Sequence, residues 1–305
     1  MRPALLLVAA MLVASPVAAA RGEGFDIAVT VDDLPVHGPL AAGATRLAIA
    51  RSYLKTLKAH RVKEAFGFVN ALGLEQEPGT GAVLDAWRQA GFPLGNHGFA
   101  HLNLDRAASP EAWAADVRSG EAAVAGRMRG RDWRFYRFPN LAAGSEPARH
   151  AFASAWLAEH GYRVAHVSLA FSDWSYEDAY ARCLGKGDKA AISAMKAQYL
   201  KGVDDGIARM KAVSARVYGR QIPQVLLTHI GHWAATMLPE VMTRLEAAGA
   251  RYVPLADTQS DPAYAEAERI PGGGGIMERK AQSARIDLSG IVRPAGTENL
   301  RAVCR

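Results

Sequence analysis

Short apolar runs alternate with longer amphipathic segments along the chain. The apolar, β-branched runs predict strands at Asp26–Thr30, Ala65–Val69, Pro93–Asn96, Phe135–Phe138, Arg163–Leu169, Gln224–Thr228 and Arg251–Pro254. Between them, apolar residues recur at helical spacing and predict helices over 44–59, 81–90, 110–127, 148–159, 188–217 and 238–248. This alternation predicts an α/β protein with a parallel sheet, which is either doubly wound or an incomplete barrel.

The placement of polar residues favours the barrel. Residues suited to chemistry follow the carboxyl ends of the predicted strands, namely Asp32, Asp33, His97, Arg137, Asp173 and His229. In (β/α) barrels the active site forms at that face, from loops that leave different strands. We therefore expect these side chains to meet at one end of a barrel.

The first residues have the pattern of an export signal. Arg2 precedes the apolar run Ala4–Val13, and the small residues 18–20 follow as a cleavage site. The run is shorter than the roughly 20 residues that a bilayer crossing needs, although an uncleaved anchor is the alternative. Residues 1–20 are thus predicted to be a signal peptide, without a stable membrane span, and the protein is expected to be periplasmic or extracellular.

The remainder of the chain fits one catalytic domain with a C-terminal extension. A core near the upper size limit for one domain is predicted over residues 21–260. Residues 261–305 have weaker patterning and are expected to pack on the barrel or trail from it. The run Pro271–Gly275 is predicted to be a flexible linker.

Composition and charge exclude few classes of protein. The chain is 50% hydrophobic and 22% charged, which is ordinary for a globular enzyme. Its net charge of +6 is spread without a polybasic block, and no nucleic-acid-binding motif is present.

The only cysteines, Cys183 and Cys304, cannot form a cysteine-rich zinc site. In an exported protein they are predicted to form a disulfide, and the alternative is two unrelated buried thiols.

Asp32 and Asp33 end the first predicted strand as adjacent carboxylates. Neighbouring negative charges repel each other and raise one another's pKa, so the pair is unusual at this position. One interpretation is a helix N-cap beside a solvated turn residue. The other is a metal ligand held next to a general base.

His97 and His101 lie four positions apart in the sequence, just after a predicted strand. This spacing lets both imidazoles face the same way on a helical turn, although an isolated pair of this kind is often a surface accident. Together with a carboxylate, two histidines leave open positions on a divalent metal, as a hydrolytic site requires.

Arg137 and His229 also follow strands. Arg137 is either a surface cation or the partner of a carboxylate at the same face. His229 is either a hydrogen-bonded core histidine or a general acid that a neighbouring Asp holds protonated.

In this order the motifs resemble those of the polysaccharide deacetylase family, also called carbohydrate esterase family 4. The five pieces stand as Thr30-Val31-Asp32-Asp33, His97-Gly98-Phe99-Ala100-His101, Arg137-Phe138-Pro139-Asn140, Asp173-Trp174 and Leu227-Thr228-His229. Each motif alone is weak, whereas all five together are specific. The resemblance covers roughly residues 25–257 and implies a distorted (β/α)7 barrel.

The resemblance also implies a metal site and its base. Asp33, His97 and His101 would bind zinc or another divalent metal. Asp32 would be the general base, and Arg137 would orient it.

The remaining motifs imply the acid and the oxyanion site. His229 would be the general acid, tuned by Asp173, with Trp174 nearby. The backbone N–H of Asn140, which follows Pro139, would help to hold the oxyanion.

Three positions depart from the family pattern. Val31 replaces a phenylalanine, which changes packing more than chemistry. Gly98 replaces a serine or threonine and so removes a hydroxyl from the metal loop. Asn140 replaces an aromatic residue, which removes a wall of the substrate pocket and puts the usual substrate in question.

These features predict a metal-dependent deacetylase that acts on N-acetylated amino sugars of an exported or cell-wall glycan. One alternative is an esterase or small-amide hydrolase on the same barrel, because a fold does not fix a substrate. Another alternative is a non-catalytic glycan-binding relative.

Overall fold

Parallel strands form a single curled sheet around β1. The computed structural model describes residues 24–305, so the predicted signal peptide lies outside the described residues. Within 24–305 the strands are β1 (Phe25–Leu34), β2 (Ala65–Val69), β3 (Leu94–Asn96), β4 (Phe135–Tyr136), β5 (Arg163–Val164), β6 (Leu169–Ala170), β7 (Gln224–His229) and β8 (Ala250–Tyr252). Their order is β5-β4-β3-β2-β1-β7-β6, and β8 pairs with the start of β1.

This order leaves the barrel open between β5 and β6. The two strands are consecutive in the chain, yet β5 pairs with β4 and β6 pairs with β7. The sheet is thus an incomplete barrel of parallel strands, and the predicted distorted (β/α) barrel is confirmed.

The prediction of one strand over Arg163–Leu169 is wrong. Residues 165–168 cross the opening of the barrel and change partners on the way. Ala165 N donates to the Tyr136 carbonyl of β4, whereas Ser168 N donates to the Val225 carbonyl of β7. A segment that changes neighbours after two paired residues cannot remain one continuous strand.

The register of β1 places the site residues. Ile27, Val29 and Val31 are fully buried, as expected for a central parallel strand. β1 pairs with β7 from Ile27 opposite Gln224 to Asp32 opposite His229. The two strands therefore deliver Asp32 and His229 side by side at their carboxyl ends.

Helices surround the sheet. Within the described residues they are α1 (Arg46–Ala59), α2 (Leu72–Gln76), α3 (Gly81–Gln89), α4 (Pro110–Ala125), α5 (Pro147–Glu159), α6 (Glu177–Lys186), α7 (Lys189–Tyr218), α8 (His232–Ala247), α9 (Leu255–Gln259), α10 (Pro262–Ala267) and α11 (Ile276–Ser283). Side-chain oxygens of Thr45, Ser109 and Asp188 cap α1, α4 and α7, which explains where these helices begin. No helix within residues 24–305 has the length and apolarity that a bilayer crossing requires.

The C-terminal extension is part of the core. Tyr264 in α10 is buried and donates its hydroxyl to the Pro223 carbonyl at 2.8 Å. Ile276 and Met277 at the start of α11, and Leu300 near the end of the chain, are also buried. Residues 261–305 therefore pack on the barrel.

The predicted flexible linker at Pro271–Gly275 is an ordered strap. Gly272 N donates to the Gly144 carbonyl at 2.8 Å, and Gly274 N donates to the Leu141 carbonyl at 3.1 Å. Gly272 has φ +123°, a backbone conformation that favours glycine. The glycines here permit close backbone approach, which composition alone does not distinguish from flexibility.

A disulfide joins the end of the chain to α6, so the predicted bridge is present. The Cα atoms of Cys183 and Cys304 lie 5.2 Å apart, within the usual range for a disulfide. Cys183 is fully buried in α6.

Cys304→Ser is expected to lower the free energy of unfolding by up to about 4–5 kcal/mol, because the bridge spans a sequence separation of 121 residues. Urea unfolding with and without a reductant measures the effect. The reductant should bring the wild type to the level of the variant and leave the variant unchanged. Equal stability of the reduced and oxidised wild type would show that no bridge forms in solution.

Candidate active site and metal centre

One cavity at the carboxyl ends of the strands collects most of the predicted site residues. Its volume is about 370 Å³. It is lined by Asp32, Asp33, His37, His97, His101, Asn140, Leu141, Ala170, Trp174, Leu227 and His229. A larger cavity of about 480 Å³ beside α1 and α8 is lined mainly by small side chains, with His232 as its titratable residue. We call the cavity that contains the two aspartates the catalytic cavity.

Asp33, His97 and His101 form a potential metal site. One ligand atom from each lies within 4.8 Å of the others. Asp33 Oδ1 is 3.4 Å from His97 Nε2 and 3.7 Å from His101 Nε2. One carboxylate oxygen and two imidazole nitrogens suit a borderline divalent cation such as zinc.

Hydrogen bonding and burial prepare both imidazoles for metal binding. His97 Nδ1 lies 2.7 Å from the Arg137 carbonyl oxygen, so Nδ1 carries the proton and Nε2 keeps its lone pair. Burial, helped by the nearby His97, lowers the pKa of His101, which favours its neutral form. The donor set therefore fits a metal.

The metal loop requires glycine at position 98. Gly98 has φ +81°, and a Cβ added there would lie 2.4 Å from Asp116 Oδ2. The Asp116 carboxylate accepts hydrogen bonds from Phe99 N at 3.1 Å and from Ala100 N at 2.8 Å. Asp116 on α4 thus fixes the loop. A serine or threonine at position 98 would crowd this carboxylate.

Asp33 has two polar neighbours that the sequence did not suggest. His37 Nδ1 lies 2.7 Å from Asp33 Oδ2, and Asn70 Nδ2 donates to Asp33 Oδ1 at 2.6 Å. Burial alone would raise the pKa of Asp33. The hydrogen bond with His37, the close His97 ring and the charge of His229 outweigh it and hold the pKa well below its ordinary value. Asp33 is therefore a carboxylate at neutral pH.

Asp32 instead faces Arg137, as the sequence interpretation of Arg137 as a carboxylate partner predicts. Arg137 Nη1 lies 3.2 Å from each carboxylate oxygen of Asp32, and both residues are buried. The guanidinium also donates to Thr30 Oγ1 at 2.9 Å and to the Ala165 carbonyl at 2.7 Å. Asp32 thus has a fixed orientation and a permanent counter-charge.

His229 and Asp173 form the second charged pair. His229 Nδ1 lies 2.8 Å from Asp173 Oδ1, and the backbone N–H of His229 donates to Asp173 Oδ2 at 2.8 Å. Burial would lower the pKa of His229, but the charge and hydrogen bond of Asp173 raise it to about 9. The imidazole is therefore protonated at neutral pH, with Nε2 free to donate.

The other predicted residues lie at the edge of the cavity. Pro139 is buried, and Asn140 follows it with φ 55° in a short 3₁₀ turn. Asn140 Oδ1 accepts a hydrogen bond from Asn103 Nδ2 at 3.0 Å, so its side chain is turned toward a neighbouring loop. Trp174 stands at the mouth with 58% of its surface exposed.

The fold and the site define a class of protein, a curled parallel (β/α) barrel with a two-histidine, one-carboxylate set at its strand ends. Residues 20–164 match the polysaccharide deacetylase family, and this stretch contains the first three motifs. The resemblance predicted from the motifs is confirmed over these residues. No curated protein matches the chain.

Several solved structures share the fold. The chitin deacetylase from the fungal pathogen Colletotrichum lindemuthianum has a TM-score of 0.53 at 18% identity, covering 79% of this chain and 89% of that chain. The catalytic domain of a peptidoglycan N-acetylglucosamine deacetylase from Eubacterium rectale has a TM-score of 0.51 at 16% identity, with coverages of 79% and 94%. A CE4 family pseudoenzyme from Bacillus anthracis has a TM-score of 0.52 at 13% identity, with coverages of 77% and 66%. At these identities the likeness shows the fold alone.

His101→Ala and Asp33→Asn are each expected to remove most of the bound divalent metal, because each deletes one of three protein ligands. Asp32→Asn is the matched control for Asp33→Asn. It changes the neighbouring carboxylate in the same way and should retain the metal. Elemental analysis after dialysis, with zinc supplied during purification, measures the metal content. A full metal complement in His101→Ala, or equal metal loss in both Asp variants, would contradict the assignment.

Proposed function

We propose that this protein is a metal-dependent deacetylase that removes acetyl groups from N-acetylated amino sugars of an exported or cell-wall glycan. One observation carries the proposal: a metal-ligand set, a carboxylate oriented by arginine and a protonated histidine converge on one cavity. Hydrolysis of an amide needs an electrophilic activator, a base and an acid in that arrangement.

The residues divide the work of the reaction. Asp33, His97 and His101 would hold a divalent metal, which would supply a Lewis acid for the acetyl carbonyl and for water. Asp32, oriented by Arg137, accepts the proton from the attacking water. Asn140 lines the cavity, and its backbone N–H would donate to the developing oxyanion.

His229 completes the cleavage. An amine leaves poorly unless it is protonated as the carbon–nitrogen bond breaks. The His229 imidazolium supplies this proton from Nε2, while Asp173 stabilises the charged ring through Nδ1. Asp173 is a positioning residue, since it acts on the substrate only through His229.

The presence of a pseudoenzyme among the structural neighbours means that the barrel alone does not carry catalysis. The support for turnover in this chain is that one member of each charged pair, Asp32 or His229, lines the same cavity as the potential metal ligands. Two of the structural neighbours are named as deacetylases of chitin and of peptidoglycan N-acetylglucosamine, which supports an amino-sugar substrate. The disulfide supports export, because such bridges persist in oxidising compartments.

His229→Ala is expected to lower kcat for an N-acetylated amino sugar by about 10²–10⁴-fold. Hydrolysis of nitrophenyl acetate should fall far less, because nitrophenolate is a good leaving group that needs no protonation. Steady-state kinetics on both substrates measure the difference. An equal loss on both would argue that His229 has a structural role.

The pH profile of kcat should have an alkaline limb set by His229. A raised pKa keeps the acid form present until the pH passes through it, and a bound cation lowers that pKa, so the limb is expected at or below about pH 9. In Asp173→Asn the limb should move to lower pH, because the carboxylate charge that overcomes burial is gone. Asp85→Asn removes a surface carboxylate and should leave the profile unchanged. An unchanged alkaline limb in Asp173→Asn would show that the limb does not report the ionisation of His229.

A further inference from the structure

His37 lines the catalytic cavity, although it belongs to none of the five sequence motifs. Its Nδ1 lies 2.7 Å from Asp33 Oδ2. An ionised carboxylate can only accept a hydrogen bond, so His37 Nδ1 is the donor. The His37 ring also contacts the His229 ring, with 4.8 Å between the centroids and 31° between the planes. His37 therefore lies between a potential metal ligand and the proposed general acid.

The turn that carries His37 is anchored by two helices. Arg46 of α1 donates from Nη1 to the His37 carbonyl at 2.9 Å and to the Gly38 carbonyl at 2.8 Å. Arg46 Nη2 is itself held by Glu77 Oε1 at 2.7 Å. Gly38 has φ +65°, and a Cβ added there would lie 2.9 Å from Glu177 Cβ of α6. The backbone of this turn is thus fixed by its own contacts, so the imidazole can orient a carboxylate and need not follow it.

The hydrogen bond from His37 decides which oxygen of Asp33 is available. The Cβ–Cγ torsion of an aspartate has a broad, roughly twofold preference, so the torsion alone does not select an oxygen. With Oδ2 bonded to His37, Oδ1 lies 3.4 Å from His97 Nε2 and 3.7 Å from His101 Nε2. Asn70 Nδ2 donates to the same Oδ1 at 2.6 Å. A carboxylate oxygen has two lone-pair sites, so Oδ1 keeps one for a cation.

The surroundings make this hydrogen bond a strong one. The side chains of His37 and Asp33 are only 17% and 13% exposed. A hydrogen bond to a carboxylate is strengthened by the charge and by the low dielectric of a partly buried site. Loss of a partner that hydrogen-bonds a metal ligand typically costs about 10–100-fold in metal affinity.

We propose that His37 is a positioning residue of the metal centre. By holding Asp33 Oδ2, it presents Asp33 Oδ1 to a divalent cation beside the two imidazoles and so sets the affinity of the site. It acts on the reaction only through Asp33 and does not itself bind the metal. This inference rests on the metal site of the proposed function and is independent of the identity of the substrate.

Two substitutions separate the hydrogen bond of His37 from the bulk of its ring. His37→Phe keeps a flat ring beside His229 and removes the donor. His37→Asn removes the ring and keeps an N–H donor as many bonds from the backbone as Nδ1. His37→Phe should raise the Kd for zinc by about 10–100-fold, whereas His37→Asn should stay close to the wild type. Competition with a chromophoric zinc chelator measures Kd.

His60→Phe is the matched control. It removes another contact between an imidazole and a carboxylate, His60 Nδ1 to Glu246 Oε1 at 2.9 Å, which lies outside the catalytic cavity. The Kd for zinc should not change in this variant. An unchanged Kd in His37→Phe, or an equal rise in His37→Phe and His37→Asn, would overturn the inference.

Zinc affinity separates this inference from the proposed activity. If His37→Phe weakens zinc binding as expected while the wild type hydrolyses no N-acetylated amino sugar, the positioning role stands and the deacetylase fails. If the wild type is active and His37→Phe keeps its affinity for zinc, only the positioning role fails. A wild type that binds no zinc would overturn both.

Discussion

The site depends on one buried cation. The Arg137 guanidinium has no exposed surface and satisfies its donors with the Asp32 carboxylate, the Thr30 hydroxyl and the Ala165 carbonyl. The backbone carbonyl of Arg137 accepts a hydrogen bond from His97 Nδ1–H. A buried charge that loses its partner costs about 3–5 kcal/mol, so these contacts hold the strand ends together. One residue at the end of β4 therefore orients both the proposed base and the first proposed metal ligand.

The adjacent carboxylates are separated by backbone geometry. The register between β1 and β2 shifts between Val31 and Leu34, and Asp33 has φ 66°. This break turns Asp32 toward Arg137, while Asp33 meets His37 and Asn70. Each carboxylate thus has its own compensating donors. Two neighbouring aspartates can therefore have the different roles that we propose for them.

Periodicity and motif order predicted the parts of this protein that depend on local sequence. The long helices and the well-patterned strands, such as β2 over Ala65–Val69, appear where the sequence placed them. The sequence did not predict a role for His37, Asn70 or Asp116. Each of them acts through a hydrogen-bond partner that only the fold brings close. Two-residue strands such as β5 and β6 have no period to detect. The composition of a glycine run does not show whether the run is flexible or closely packed. For this reason the prediction of a flexible linker at Pro271–Gly275 is wrong.

The C-terminal extension packs at the opening of the barrel between β5 and β6. The crossing segment 165–168 leaves backbone groups unpaired by the sheet, and the extension satisfies one of them where Ile276 N donates to the Val167 carbonyl at 2.8 Å. The strap and α11 therefore close the barrel where its strands do not. Gly275, Met277 and Glu278 line a neighbouring cavity that shares Leu141 and Ala170 with the catalytic cavity, yet they lie outside the stretch 20–164 that matches the family. The strand ends thus present the groups suited to chemistry, while a segment outside the family match closes the opening of the barrel.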